Sequence, residues 1–438
     1  MMRYYSIFRV YFKIMRKGIF IFLFLCFAGI RAFAAEIFIP MDEEQKNHLK
    51  AYGITYWVLN KGISADWLLN YRGGSFAMPW SAAIEAECNI RGVTYQVMAD
   101  GQYNKIKQEI AYPETNQDVV KLEKPPKIAV YSPKVDGKPL YQPWDDAVTL
   151  VLKYAEIPYD VIFDDEVLQN KLPLYDWLHL HHEDFTGQYG KFWAQYQNYP
   201  WYKAGVKMDE ETAAKWGYSK VSQLKLAVAK KIRDFVMGGG YMFAMCSATD
   251  TYDIALAADG VDICAWPFDG DPMDPQANEK LDFTKTFAFQ NFQVKTDPSE
   301  YEFSTIDVPG VRPMSQENDL FTLFEYSAKW DPIPTMLTQD HTRIIKGFMG
   351  QTTAFHMQYV KPTVTVMGQN KQMNEAKYIH GEFGKGMWTF YGGHDPEDYQ
   401  HLVGAPPTDL SLHPNSPGYR LILNNVLFPA AKKQKQKT

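Results

Sequence analysis

The sequence contains few cysteines and little positive charge. Its 438 residues include 4 Cys, and 45 Lys and Arg stand against 51 Asp and Glu, which gives a formal net charge of −6. So few cysteines exclude a disulfide-built scaffold. An acidic chain repels phosphate backbones, so we expect no binding to nucleic acid. With 46% hydrophobic residues, the composition is that of a globular chain of about two or three domains with an ample core.

The N-terminal segment lacks an apolar run long enough for a membrane span. The run from Gly18 to Ile30 is well short of the roughly 20 residues that a span needs. A basic segment precedes it and Ala32-Phe33-Ala34 follows it, which is the pattern of a cleaved secretory signal. We therefore expect residues 1–34 to be removed as a signal peptide and the mature protein to be periplasmic or secreted, with no stable membrane span. Removing six basic residues from 45 leaves 39 against 51 acidic ones, a net charge of −12.

Changes in composition divide the remaining chain into segments. Residues 35–124 mix short helical and strand patterns, and periodicity leaves the apolar run 54–59 undecided between helix and strand. Paired prolines interrupt helices and strands, so Pro125 and Pro126 indicate a boundary. The predicted segments are an N-terminal α+β region over 35–124, an α/β domain over 125–260 and 376–431, a β-rich insertion over 261–375 and a basic tail over 432–438.

Alternating strand and helix patterns indicate the α/β domain. Short apolar runs typical of buried strands occur at 127–131, 159–163, 174–180 and 241–245. Amphipathic helical patterns at 144–155 and 222–235 lie between them. This order of elements favours right-handed parallel crossovers, so we predict a parallel sheet with helices on both faces.

Cys246 is the strongest candidate for a reactive residue. It directly follows the predicted strand 241–245, and the small residues Ala244 and Ala248 flank it at two positions on either side. A nucleophile on a sharp strand-to-helix turn needs small flanking residues, because large side chains would clash there. The dipole of the following helix would stabilise the thiolate and lower the thiol pKa. The alternative is a buried cysteine with a purely structural role.

A partner for this thiol follows the last predicted strand. His394 lies on a glycine-rich turn after a strand-like run that ends at Tyr391, so it should reach the same carboxyl-end edge of the sheet as Cys246. It could act as a general base that is oriented by Glu397 or Asp395. The alternative is a turn histidine that bonds nearby backbone.

Residues 179–184 form a second polar cluster. On a strand, His179 and His181 share one face, and the loop beyond them should enter the crevice at the carboxyl ends of the strands. Two imidazoles with Glu183 or Asp184 could bind zinc, but no second His/Cys cluster with matching spacing occurs in the sequence. We therefore predict no metal and no other cofactor, and we assign His181 and Glu183 to substrate binding.

Backbone N–H groups complete the predicted site. Gly187 lies in the glycine-containing loop 186–190, and Ser247 follows Cys246 directly. N–H groups at these positions could face a developing oxyanion. We assign both residues to substrate binding.

The order of these motifs resembles the class I glutamine amidotransferase-like superfamily. The likeness covers roughly 126–250 and 376–430, with an early strand, a histidine-acid loop, the cysteine elbow and a late Gly-His-x-Pro-Glu turn. The resemblance implies a flavodoxin-like parallel sheet and a triad of Cys246 as nucleophile, His394 as base and Glu397 as acid. Alanines replace the family's usual glycines beside the cysteine, and one extra residue separates the histidine from the glutamate. The closing turn also looks like that of trehalose-utilisation-type members, several of which lack catalytic machinery.

The layout is also similar to exported chains described as asparagine synthetase B, but the sequence does not support that chemistry. A glutaminase of that kind needs a cysteine at the mature N-terminus, where Ala35 is expected. The Ser-Gly-Gly-x-Asp-Ser loop that holds ATP pyrophosphate is also missing.

Two main hypotheses about function follow. The first is an exported cysteine hydrolase that acts on an amide or ester by acyl transfer. The second is a catalytically silent binding module, for a carbohydrate or a surface protein, in which Cys246 is structural. A metal-dependent enzyme that uses His179, His181 and Glu183 is a third alternative. The predicted partner is a small-molecule amide or a carbohydrate.

Overall fold

The computed structural model describes residues 35–135, 137–308 and 310–431, so the predicted signal peptide and basic tail lie outside the described residues. The strands are β1 (Ala35–Ile39), β2 (Ala65–Leu69), β3 (Ser75–Pro79), β4 (Gln96–Ala99), β5 (Asp118–Leu122), β6 (Ile128–Tyr131), β7 (Lys134–Val135), β8 (Lys138–Pro139), β9 (Asp160–Ile162), β10 (Trp177–Leu180), β11 (Tyr241–Met245), β12 (Leu320–Leu323), β13 (Ile344–Lys346), β14 (Phe355–His356), β15 (Thr365–Asn370), β16 (Glu375–Phe383) and β17 (Gly386–Tyr391). The helices are α1 (His48–Asn60), α2 (Ala82–Arg91), α3 (Asp100–Ile110), α4 (Ala147–Tyr154), α5 (Asp164–Leu168), α6 (Trp193–Tyr196), α7 (Pro200–Lys215), α8 (Val221–Gly238), α9 (Ala248–Ala257), α10 (Trp266–Asp269), α11 (Pro332–Leu337) and α12 (Pro417–Leu427).

The N-terminal region contains an antiparallel sheet and a buried helix. The five strands of this sheet lie in the order β4-β1-β3-β2-β5. Helix α1 begins at an Asn47 cap whose side chain accepts from the N–H of Lys50, and ten of its 13 residues are buried. A helix that is apolar on most sides becomes buried between other elements. The undecided run 54–59 is therefore part of a helix.

The large sheet has ten strands and is mixed, not parallel throughout as the sequence predicts. Strands β9, β6, β10, β11 and β17 lie side by side and run parallel. Beyond β17 the order continues antiparallel through β16, β15, β12 and β13, with β14 paired to β16. The change of direction comes from the hairpin between β16 and β17, where Phe383 pairs with Gly386.

The segment 261–375 contributes its strands to this same sheet. Strands β12, β13 and β15 form its antiparallel side, while loops and short helices make up most of the remainder of the segment. Arg312 ties the segment to the sheet, since its guanidinium lies 3.1 Å from the Asp319 carboxylate and 2.8 Å from that of Glu375. All three side chains are at most 6% exposed.

Hydrophobic clusters cover both faces of the parallel half. Along β6, Ile128 and Val130 join one cluster, while Ala129 and Tyr131 join the other, as the alternation of side chains in a strand requires. The first cluster includes apolar side chains of α1, α4 and α12, and the second includes those of α8 and α9. Helices therefore cover both faces of the parallel half, and the carboxyl ends of the parallel strands lie together at one edge.

Among the helices that the structure describes, none is both long and apolar enough to cross a membrane.

Candidate active site

Cys246 lies on a tight turn between β11 and α9. Its φ is +50°, in the left-handed region that non-glycine residues seldom adopt, so the turn is strained. The N–H of Cys246 donates to the carbonyl of Gly393 at 3.2 Å, and the N–H of Ala248 donates to the carbonyl of His181 at 3.0 Å. These bonds tie the turn to the ends of the neighbouring strands β17 and β10. The structure thus places Cys246 and His394 at the same edge of the sheet.

Cys246 and His394 line the same cavity, and each shifts the pKa of the other. Burial by itself would raise the pKa of the Cys246 thiol, but the adjacent His394 ring and its positive charge hold the pKa below its ordinary value. Burial would conversely lower the pKa of His394, whereas Asp145 and Cys246 raise it to about 10. Both shifts act in favour of a thiolate beside an imidazolium. This is the ionisation that a cysteine nucleophile requires.

The carboxylate beside His394 belongs to Asp145. Its Oδ1 atom lies 3.7 Å from Nε2 of His394, an ion-pair distance that is too long for a hydrogen bond, and 3.1 Å from Nε2 of His401. The rings of His394 and His401 stack with their centroids 4.3 Å apart. Sequence reasoning missed Asp145, although the acidic pair Asp145-Asp146 directly before α4 was a visible signal.

Glu397 and Asp395 occupy other positions. The Glu397 Oε2 atom lies 3.1 Å from Nδ1 of His413, and the Glu397 N–H donates to Oδ1 of Asp395 at 2.8 Å. The Glu397 carboxylate is thus paired with His413, and Asp145 is the acid that lies at ion-pair distance from His394.

Two backbone N–H groups face the sulfur of Cys246. They belong to Ser247 and Gln351, and both stabilise the thiolate. The Gln351 side chain holds its loop in place by donating to the carbonyls of Gly190 at 2.7 Å and Tyr301 at 3.1 Å. A Cβ atom at Gly350 would approach the backbone nitrogen of His394 to 2.7 Å, so only glycine fits this contact. The Ser247 N–H was expected, whereas that of Gln351 comes from the insertion and had no signal in the sequence.

The predicted substrate-binding residues lie at different distances from the thiol. Ser247 lines the cavity of Cys246, with its hydroxyl unpaired and buried. The ring of His181 lies 5.0 Å from that of His394. Glu183 accepts the N–H of His181 at 2.8 Å, and burial raises its pKa to about 8. Glu183 and Gly187 line a neighbouring cavity.

The cavity above Cys246 has a volume of about 330 Å³. Aromatic side chains form much of its wall, and Gln195 and Gln400 add amide groups. The described lining residues include no Lys and no Arg. His182 also lines it, and burial together with the charges of His181 and His394 holds its pKa well below the ordinary value. The aromatic residues of the wall are Trp144, Phe192, Tyr196 and Tyr301. Such a cavity suits an uncharged ligand with flat or apolar faces.

Several groups of side chains have the composition and spacing of metal ligands. The groups around the site are His181 with His182 and His394, Asp145 with His394 and His401, and Asp146 with His179 and His181. A further group, Asp262 with Cys264 and Asp269, lies elsewhere. There Lys220 Nζ already lies 2.6 Å from Asp262 and 3.0 Å from Asp269, which compensates the carboxylate charge.

Comparison with known proteins gives no family. No family model and no curated protein matches the chain. A cytoplasmic protein from Salmonella typhimurium is 11% identical, with 70% of this chain and 100% of that protein covered at a TM-score of 0.33. A second cytoplasmic protein from Salmonella typhimurium LT2 is 10% identical over the same shares, at a TM-score of 0.36. A β-galactosidase from Bacillus circulans sp. alkalophilus is 11% identical over 62% of this chain and 29% of that protein, at a TM-score of 0.26. Likenesses of this size carry no inference about activity.

Proposed function

We propose that this protein is a cysteine hydrolase that cleaves an uncharged amide or ester by acyl transfer. The observation that carries the proposal is the pairing of Cys246, on a strained strand-to-helix turn, with His394. This pair places the nucleophile and base of a hydrolytic triad in one cavity, where each shifts the pKa of the other. The absence of Lys and Arg among the described lining residues supports an acyl group without a carboxylate.

The reaction has two half-steps. The Cys246 thiolate attacks the carbonyl carbon, a carbon–sulfur bond forms, and the N–H groups of Ser247 and Gln351 stabilise the oxyanion. The carbon–heteroatom bond then breaks, and protonated His394 transfers its proton to the departing amine or alcohol, leaving a thioester. In the second half-step, neutral His394 takes a proton from water as the water attacks the thioester. The tetrahedral intermediate collapses, the acid is released, and the thiolate is regenerated beside protonated His394.

We assign the orienting role in this scheme to Asp145. Its carboxylate stabilises the positive charge of His394, as the acid of a triad does. Glu397, which the family resemblance implies for that role, lies against His413 instead.

The arrangement of the parallel strands supports a flavodoxin-like core and the superfamily resemblance. The parallel strands are β6, β9, β10, β11 and β17 in chain order, which we count as strands 1 to 5. Their order across the sheet is β9-β6-β10-β11-β17. This is the order 2-1-3-4-5, which is typical of flavodoxin-like sheets. We infer that the chain has such a core, extended by antiparallel strands, with its site at the carboxyl-end edge.

The test is acylation of Cys246. Neutral 4-nitrophenyl esters and anilides should give a burst of nitrophenol or nitroaniline, and mass spectrometry should locate an acyl adduct on Cys246. Cys246→Ala should abolish both signals, while Cys88→Ala should keep them, since Cys88 is buried in the N-terminal core. Hydrolysis that continues unchanged in Cys246→Ala would overturn the proposal.

A binding module remains the second candidate, because of the aromatic wall. The side chains of Trp144, Phe192 and Tyr301 line the cavity, and aromatic faces of this kind can stack on sugar rings. Saturable binding of a neutral oligosaccharide, lost in Trp144→Ala, together with no acylation of Cys246, would favour this function over hydrolysis.

A further inference from the structure

A second cluster of ligand-type side chains lies where β10 ends against the start of α4. Nε2 of His179 is 3.2 Å from Oδ2 of Asp146, and Nδ1 of His181 is 3.3 Å from Oδ1 of the same carboxylate. The imidazoles are fully buried, and the Asp146 side chain is 16% exposed. These three residues are distinct from the Cys246–His394 pair.

The protonation of His179 is fixed by a neighbour. Its Nδ1 atom lies 3.1 Å from the carbonyl oxygen of Phe243, which can only accept a hydrogen bond, so Nδ1 carries the proton. In the neutral ring, Nε2 is then a bare lone pair that faces a carboxylate oxygen. Two acceptors at 3.2 Å repel each other unless a proton or a metal ion lies between them.

The contacts with Asp146 lack the direction of hydrogen bonds. Nε2 of His179 and Nδ1 of His181 are buried atoms without a hydrogen-bond partner, although each lies within 3.3 Å of the carboxylate. Unpaired buried polar atoms are costly and call for a partner. These two atoms and the Asp146 carboxylate offer three ligand atoms within 4.8 Å of one another, an arrangement that suits a shared ion.

The spacing suits a small divalent ion. Zinc bonds of about 2.0–2.1 Å in tetrahedral geometry place neighbouring ligand atoms about 3.3–3.4 Å apart. The two measured separations from Asp146 are 3.2 and 3.3 Å. Imidazole nitrogen and carboxylate oxygen are ligands that zinc accepts.

The second layer of contacts orients the ligands. The Phe243 carbonyl holds the ring of His179. The Asp146 carboxylate caps α4, with Oδ1 accepting from the N–H of Thr149 at 2.9 Å. Metal ligands in proteins are commonly held by such outer contacts.

We propose that Asp146, His179 and His181 bind one zinc-type divalent ion. The sequence analysis predicts no metal, and its alternative pairs His179 and His181 with Glu183. In the site proposed here, Asp146 replaces Glu183 as the carboxylate ligand. The ion holds the end of β10 to α4. Because the carbonyl of His181 accepts the N–H of Ala248, the ion also steadies the first turn of the helix after Cys246. Its role here is positional, and the hydrolytic steps proceed without it.

The test is zinc binding by the full chain. After treatment with a chelator, the protein should bind one equivalent of Zn²⁺ in competition with a chromophoric chelator. Asp146→Asn keeps an oxygen that can cap α4 but removes the charge. It should weaken binding by more than the roughly 10- to 100-fold that loss of an outer contact costs. The matched control is Asp145→Asn, one residue away, which should keep wild-type affinity.

Co²⁺ titration of the wild-type chain provides a readout that needs no variant. Tetrahedral visible absorption bands should appear at one equivalent, and they should persist after alkylation of Cys246, which is not a ligand. No saturable binding of either ion by the wild-type chain would overturn the proposal. Loss of zinc in Asp145→Asn with retention in Asp146→Asn would also overturn it, since the ion would then lie among His394, His401 and Asp145. The acylation of Cys246 is measured separately, so either proposal can fail alone.

Discussion

The carboxylate of Asp145 lies 3.7 Å from Nε2 of His394, although about 250 residues of sequence separate the two loops that carry them. The Asp145 loop precedes α4, while the His394 loop follows β17. Their contact stabilises the charged imidazole, and through it the thiolate of Cys246. The reactivity of the thiol therefore depends on a residue that is remote from it in sequence.

Asp145→Asn should slow alkylation of Cys246. Loss of the negative charge makes the His394 imidazolium less stable, so the thiol pKa rises. Below the thiol pKa, the thiolate fraction falls tenfold for each unit by which the pKa rises, so labelling at the acid end of the curve should slow severalfold. Iodoacetamide labelling followed by peptide mass spectrometry measures this. Glu397→Gln is the matched comparison and should label at nearly the wild-type rate. An equal loss in Glu397→Gln would reassign the orienting role to Glu397.

The pH dependence of labelling should separate Cys246 from the other described cysteines. The lowered pKa of Cys246 means that its thiolate persists at a lower pH than that of an ordinary thiol, so labelling at pH 7 should keep a larger share of its alkaline maximum than labelling of a small-molecule thiol does. Burial and nearby acids raise the pKa of Cys88 to about 12, and that of Cys264 lies well above the ordinary value. Both should stay unlabelled in the native protein across pH 6–9. Labelling of Cys246 at pH 7 no faster than a small-molecule thiol would contradict this prediction.

The sequence predicts the positions of Cys246 and His394 at the carboxyl-end edge of the sheet better than it predicts the residues that surround them. The strand before Cys246 and the turn that carries His394 follow from local apolar runs and from small or glycine residues. Asp145 reaches His394, and Gln351 reaches the thiol, through long-range packing. The acidic pair before α4 shows where an acid is available but does not indicate its partner. Glu397 illustrates the opposite error, because its place in the motif suggests a role for a carboxylate that is paired with His413 instead.

Substitutions of Cys246 should reveal the strain in its turn. A non-glycine residue at φ of +50° costs about 1–2 kcal/mol. Cys246→Gly removes that cost. Glycine also gives the unfolded chain more conformational freedom than alanine does, which lowers the free energy of unfolding by about 0.4–1 kcal/mol. We expect Cys246→Gly to be more stable than Cys246→Ala by about 0.5–1 kcal/mol, measured by urea denaturation. Greater stability of the alanine variant would indicate that the turn relaxes.

Gly350→Ala should impair acyl transfer without unfolding the protein. The new Cβ would lie 2.7 Å from the backbone nitrogen of His394, so the loop must move and carry the N–H of Gln351 away from the sulfur. Loss of one oxyanion donor costs about 10²- to 10³-fold in rate, and partial displacement should cost about tenfold or more. The burst rate with a 4-nitrophenyl ester measures the effect. Gly101→Ala, where a Cβ would meet no atom within 4 Å, controls for the substitution itself.

Arg312→Met should strongly destabilise the fold. Arg312 lies between the buried carboxylates of Asp319 and Glu375, and its removal leaves two acids that share one nearby cation, Lys377, whose pKa burial lowers to about 7. Loss of one partner of a buried pair costs about 3–5 kcal/mol, so the free energy of unfolding in urea should fall by at least that amount.

The matched control for Arg312→Met is Arg343→Met. The ion pair of Arg343 with Glu325 is 3.4 Å long, and the two side chains are 50% and 63% exposed. Solvent screens such a pair, so the loss should be below about 1 kcal/mol. Because Asp319 precedes β12 and Glu375 begins β16, Arg312 joins the ends of two strands on the antiparallel side of the sheet. A small effect of Arg312→Met would mean that the two acids become protonated or hydrated, and that this junction is held by the strand pairing alone.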